Sequence, residues 1–145
     1  MSASAPCPLC AGEGGQLLWR QTEYRVVRVS GAEAEDFPGF YRVIWNAHVA
    51  EWTDLTEAEQ RLCMRALNGV ERAVRSHLQP TKVNLASLGN VVPHLHWHVV
   101  ARYDWDSRFP APLWVPAHQP VPAQRLAEVR ERLVGCDAAI ASGVF

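Results

Sequence analysis

His94, His96 and His98 stand at every second position in residues 93–100, Pro-His-Leu-His-Trp-His-Val-Val. Imidazole titrates nearest neutral pH of all side chains, so such a row can move protons, ligate a metal or attack an electrophile. Leu95, Trp97 and Val99 fill the alternate positions. Strict alternation marks a strand with one buried face, because successive side chains point to opposite sides. The pattern therefore predicts Leu95, Trp97 and Val99 against a core, with the three histidines in line on the other face. At a rise of ~3.3 Å per residue, His94 and His98 would be ~13 Å apart. One ion does not easily take both, although two of the three can share one. The row better suits an extended polar substrate, attacked by one histidine and assisted by its neighbours.

Several elements must position this row. Residues 82–88 alternate apolar with polar or small side chains and read as a strand, with Val83 and Leu85 on one face and Asn84 on the other. Residues 89–93 form the turn into the histidine strand, where Gly89 permits a backbone shape that other residues resist. This hairpin would aim Asn84 and Asn90 near the histidines. Upstream, residues 16–20, 24–29 and 40–45 read as three strands rich in aromatic and β-branched residues. His48 lies just past the last of them and is available as a ligand or substrate contact.

Thr56 and Glu59 match a capping box, and a long helix should follow to about residue 78. Cys63, Leu67, Val70, Val74 and Leu78 form its apolar stripe, which makes Cys63 a core residue. Pro80 follows its end, and His77 sits in the last turn, facing solvent. Residues 103–116 form a long loop rich in proline and aromatics, which suggests function or an interface. A C-terminal helix is predicted over residues 122–134, with Gly135 as its stop. Residues 1–6 read as a loose end.

The chain has 145 residues, which predicts one domain over 1–145 with a real core. A net charge of -1 gives no electrostatic reason to expect nucleic acid or membrane as a partner. No apolar run is long enough for a membrane span. The N-terminus lacks the pattern of a secretory signal, and four cysteines then point to a reducing, cytoplasmic compartment. Cys7-Pro8-Leu9-Cys10 reads as a zinc half-site, a redox pair or chance. The glycine-rich residues after it disfavour the redox reading. A zinc half-site needs two more ligands, which histidines elsewhere can supply.

His94-Leu95-His96-Trp97-His98-Val99-Val100 resembles the motif of the histidine triad family, His-x-His-x-His followed by apolar residues. His48-Val49 resembles the family's upstream histidine, and Asn84, Gly89 and Asn90 resemble its hairpin. The likeness spans about residues 7–116. It implies an α+β fold with a five-stranded antiparallel sheet, one long and one C-terminal helix, and a homodimer, in which exposed tryptophans such as Trp52 or Trp105 would find partners. It implies hydrolysis or transfer at the α-phosphate of a nucleotide, a dinucleoside polyphosphate or nucleoside phosphoramidate, through a nucleotidyl-histidine. His96 would be the nucleophile, His98 would stabilise the phosphate, and His94 would orient the site or bind metal. Asn84, Asn90 and His98 would contact substrate. Asn90 stands where many members carry the longer Gln, and no residue in 30–36 is matched to the family's ribose-binding acid. Some members hold a structural zinc, and Cys7, Cys10, His48 and His94 match that ligand set; no organic cofactor is implied. In zinc-free members the upstream histidine serves the active site. A zinc-stabilised nucleotide-binding module with little turnover is the competing reading.

Overall fold

A computed structural model describes residues 5–143 and Phe145. Residues 1–4 of the expected loose end lie outside the described residues. Five strands form one antiparallel sheet: β1 (Gln16–Arg20), β2 (Tyr24–Arg28), β3 (Phe40–Trp45), β4 (Lys82–Ala86) and β5 (His96–Arg102). Their order across the sheet is β1-β2-β3-β5-β4. A single-turn helix α1 (Pro8–Ala11) precedes the sheet, the long helix α2 (Glu57–Leu78) joins β3 to β4, and α3 (Ala123–Ala141) follows β5. The chain is thus α+β, as the family likeness implied.

One face of the sheet is apolar and carries α2 and α3. Tyr24, Val26, Tyr41, Val43 and Val99 are buried there against Leu67, Val70 and Val74 of α2. Cys63 is part of this core. The capping box forms as the sequence requires: the Thr56 hydroxyl accepts from the Glu59 amide at 3.3 Å, and the Glu59 carboxylate accepts from the Thr56 amide at 2.7 Å. Gln79, with φ 48°, ends α2 in a left-handed turn ahead of Pro80.

Three expectations change. The histidine strand starts at His96, not His94, because the chain turns after Pro93 and the His94 amide donates back to the Val92 carbonyl. Gly135 does not stop the last helix but lies inside it. A Cβ there would meet Nδ1 of His77 at 3.1 Å, so the glycine serves the close approach of α3 to α2, and His77 is half-buried rather than solvated. Trp52 and Trp105 are half-buried rather than exposed, packed edge-on against Trp97 and stacked on Tyr103 respectively. The α3 helix is tied to the sheet by Asp137, which accepts from Arg28 and from the Tyr41 hydroxyl at 2.9 Å each.

Candidate active site

The other face of the sheet carries His96 and His98 side by side on β5, their ring centroids 5.0 Å apart. Alternation along the strand puts Trp97 and Val99 on the core side, as the sequence predicts. Both histidines line a cleft of about 700 Å³, a volume suited to a small organic ligand. Its walls are mostly apolar: Leu9 from α1, Leu88, Val91 and Val92 from the turn after β4, and Trp114. Gly89, with φ 73°, shapes that turn, and Asn90 lines the cleft beside it.

The ring orientation and tautomer of His96 are set by its backbone surroundings. Its Nδ1 donates to the carbonyl of His94 at 2.5 Å. That bond fixes the proton on Nδ1 and leaves Nε2 as a free lone pair. The Ser87 hydroxyl donates to the carbonyl of His96 itself at 3.0 Å, holding the start of β5 against the loop from β4. Burial pushes the pKa of His96 below its ordinary value. His98 is pushed further, down to about 3, by burial first and then by His96 and Arg42. Both rings are therefore neutral at pH 7. Nδ1 of His98 is buried without a hydrogen-bond partner.

His94 does not join this row, which corrects the alignment of three histidines expected from the alternation. It is fully buried and does not line the cleft. Its Nε2 donates to the carbonyl of Trp45 at 2.6 Å, which turns Nδ1 toward Cys7 (3.4 Å), Cys10 (3.5 Å) and His48 (3.2 Å). Cys10 and His48 are 3.4 Å apart. These four side chains gather at one point and form a set able to hold a metal ion. Arg25 keeps the cysteine segment in place. Its guanidinium donates to the carbonyls of Leu9 (2.7 Å), Gly12 (3.1 Å) and Glu13 (3.0 Å), and to Asn46 (3.0 Å).

Asn84 has a different use from the one expected. Its side-chain oxygen accepts from Arg102 at 2.9 Å, and it stands outside the cleft lining. Arg102 also forms a buried ion pair with Asp106 at 2.8 Å. Asp106 in turn accepts from the amides of Tyr103, Arg108 and Phe109. This knot fixes the long loop after β5, which carries Trp114 into the cleft wall, 5.2 Å from the His98 ring.

With this geometry, relatives can be compared. The sequence model of the HIT domain, the histidine triad domain, matches residues 20–105, more than half of the chain. The chain belongs to the HIT family. Among solved structures, a histidine triad protein from Bradyrhizobium japonicum is 27% identical, with a TM-score of 0.65 over 84% of this chain and 90% of that one. A histidine triad protein from Marinobacter aquaeolei is 22% identical, with a TM-score of 0.66 over 88% and 91%. A hypothetical histidine triad nucleotide-binding protein from Sulfolobus tokodaii shares the fold at 13% identity, with a TM-score of 0.61 over 94% and 91%. No curated protein matches the chain.

Within this HIT domain, four residues of the site escaped the sequence reading. Arg42, Glu33 and Trp114 line the cleft, and Ser87 braces the start of β5. Arg42 had a visible signal, since it is the one charged residue in the otherwise apolar stretch Phe-Tyr-Arg-Val-Ile-Trp of β3. Glu33 lies in a single 3-10 turn (Ala32–Ala34) and Trp114 in a loop, both too short or irregular for periodicity to report on direction.

Proposed function

We propose that this HIT protein is a nucleotide hydrolase or nucleotidyltransferase that works at the α-phosphate through a nucleotidyl-histidine on His96. The observation that supports this most strongly is the bond from His96 Nδ1 to the His94 carbonyl, which leaves a neutral Nε2 lone pair in a cleft. Nε2 attacks the α-phosphorus, a P–N bond forms, and the bond from phosphorus to the leaving group breaks. Covalent attack thus divides one difficult displacement into two easier ones. His98, neutral and adjacent, has one ring N–H to offer a non-bridging phosphate oxygen as its charge develops. In the second step water, or a second acceptor in transfer, attacks the phosphorus and breaks the P–N bond, which restores His96. The apolar walls around Leu9, Val92 and Trp114 suit a nucleobase, and Asn90 is the side-chain amide that lines the cleft and could meet a phosphate. The substrate class is a dinucleoside polyphosphate or a nucleoside phosphoramidate. Mass spectrometry of the protein mixed with a nucleotide panel tests the reading: a nucleotidyl adduct on His96 is expected, absent from His96→Ala.

Zinc fits the cysteine–histidine cluster. Bond lengths of about 2.3 Å to sulfur and about 2.05 Å to nitrogen, at tetrahedral angles, give ligand edges of about 3.6 Å for S···N and about 3.3 Å for N···N. The three S···N distances of 3.4, 3.4 and 3.5 Å and the N···N distance of 3.2 Å lie within a few tenths of an ångström of these edges. Cys7, Cys10, His48 and His94 would hold the ion, and the Trp45 carbonyl would orient His94 from behind. A closed four-ligand set of this kind is structural, and it would fasten the α1 wall of the cleft to the sheet. This cluster also favours a second reading, a zinc-stabilised nucleotide-binding module with little turnover. The adduct experiment separates the two. The homodimer implied by family likeness belongs to this proposal, as does a cytoplasmic setting. Among the described residues no helix is long and apolar enough to cross a membrane.

A further inference from the structure

Three arginines point inward from the sheet, and only one lacks a full set of protein partners. Arg25, 3% exposed, has Nε and both terminal nitrogens engaged by carbonyls and an amide. Arg102 likewise spends Nε and both terminal nitrogens on Asp106, Asn84 and the Ala111 carbonyl. Arg42 differs. Its terminal nitrogens donate to the Gly14 carbonyl at 3.2 Å and to Glu33 at 2.7 Å, but its Nε is buried with no partner. Its side chain is 15% exposed while that of Glu33 is 47% exposed. An ion pair with so exposed a carboxylate contributes little stability, so it does not explain why a guanidinium sits in the wall of a cleft.

Its position does offer an explanation. Arg42 lies directly opposite His98 in the β3–β5 register. The Phe40 ring underlies both, 5.3 Å from the guanidinium carbon and 5.4 Å from the His98 ring centroid. Among the described residues that line the cleft, Arg42 is the only lysine or arginine. The two cleft histidines carry no permanent charge, whereas a guanidinium is charged at every accessible pH. A phosphate entering beside them has one permanent cation to meet, and a guanidinium is shaped to take two phosphate oxygens at once.

We infer that Arg42 is the phosphate-binding cation of this cleft, held by Glu33 until a nucleotide's phosphate group takes the carboxylate's place. The inference rests on the nucleotide reading above and deepens it: the preferred ligands are those carrying the most negative charge next to the His96 position. Glu33 is a positioning residue that screens the cation in the empty cleft and repels a bound phosphate.

The test is a set of dissociation constants, measured by calorimetry on the full-length protein. The ligands are the common ribonucleosides, their 5′-monophosphates and their uncleavable α,β-methylene diphosphates. Wild type should prefer phosphorylated forms over the nucleoside. Arg42→Gln should lose that preference by roughly ten- to hundredfold, the range for a charged hydrogen bond, while nucleoside affinity stays the same. Arg42→Lys should keep part of it, and Glu33→Gln should strengthen it. Equal losses for nucleoside and nucleotide in Arg42→Gln, or no change for either, would overturn the assignment. If Arg42→Gln does not fold, Glu33→Gln decides, and an unaltered preference there overturns it. A wild-type protein that binds neither nucleosides nor nucleotides, and forms no adduct on His96, would remove the nucleotide reading and this inference together. An adduct without any Arg42 dependence would remove this inference alone.

Discussion

The backbone carbonyl of His94 accepts from Nδ1 of His96 at 2.5 Å, while the side chain of His94 faces the cysteine cluster. One residue therefore borders both centres, through different atoms. Because the bond to His96 uses the main chain, it should outlast a change of the His94 side chain. His94→Gln is expected to lose metal yet retain measurable turnover. Metal analysis together with a hydrolysis assay checks this, and complete inactivity of a folded His94→Gln protein would contradict it.

Removing the His96 imidazole should be far more severe. His96→Ala is expected to lower turnover of an adenosine phosphoramidate by several orders of magnitude and to leave nucleotide binding in place. His98→Ala should cost less, on the order of 10²–10³ in rate, as for the loss of one charge-stabilising donor. Steady-state kinetics beside equilibrium binding reads both. Near wild-type hydrolysis by His96→Ala would refute the mechanism.

The metal set makes a prediction about composition and stability. The purified protein should carry about one equivalent of zinc. Cys7→Ser should lower both the metal content and the melting temperature, because ligand binding is linked to folding. Metal-free protein of undiminished stability would refute it.

Acid sensitivity should trace in part to His98. Its folded pKa is held at about 3 against 6.5 for an unhindered histidine. Between those values the unfolded chain takes up a proton that the folded chain refuses. The folded state is therefore fully favoured above pH 6.5 and loses ground as the pH falls toward 3, by roughly 2 kcal/mol at pH 5 from this group. His98→Asn should remove that share, so its melting temperature should drop several degrees less than wild type between pH 7 and pH 5. Equal drops would contradict the assignment.

Asp106 should be the costliest residue in the loop after β5. It is buried and answers Arg102 together with three backbone amides. Asp106→Ala leaves that cation without its carboxylate, at a cost of roughly 3–5 kcal/mol. Chemical denaturation measures the loss. The same variant should bind nucleotides more weakly, since Trp114 would lose its frame.

The alternation of residues 95–99 and the stripe on α2 made the fold legible, because burial of one face leaves a period in the sequence. The division of labour among the histidines was not legible. His94 shares the spacing of His96 and His98, and only the turn at Pro93 sends it to the cysteines instead of the cleft. Asn84 could not be placed from its neighbours either. Its partner, Arg102, is eighteen positions away, and nothing local announces that bond. Gly135 looked like a helix stop because the close approach of His77 is a tertiary fact.

The order of the strands carries a consequence for biogenesis. β5 lies between β3 and β4, so the edge of β3 has no partner until residues 96–102 have been synthesised. For the length of α2 and β4, the stretch Phe-Tyr-Arg-Val-Ile-Trp presents an open hydrogen-bonding edge of the kind that recruits other chains. The strand bearing His96 and His98 is thus also the one that seals the sheet. Substitutions along it should reduce the yield of soluble protein during expression independently of their effect on chemistry, and the smallest side chains should do so most.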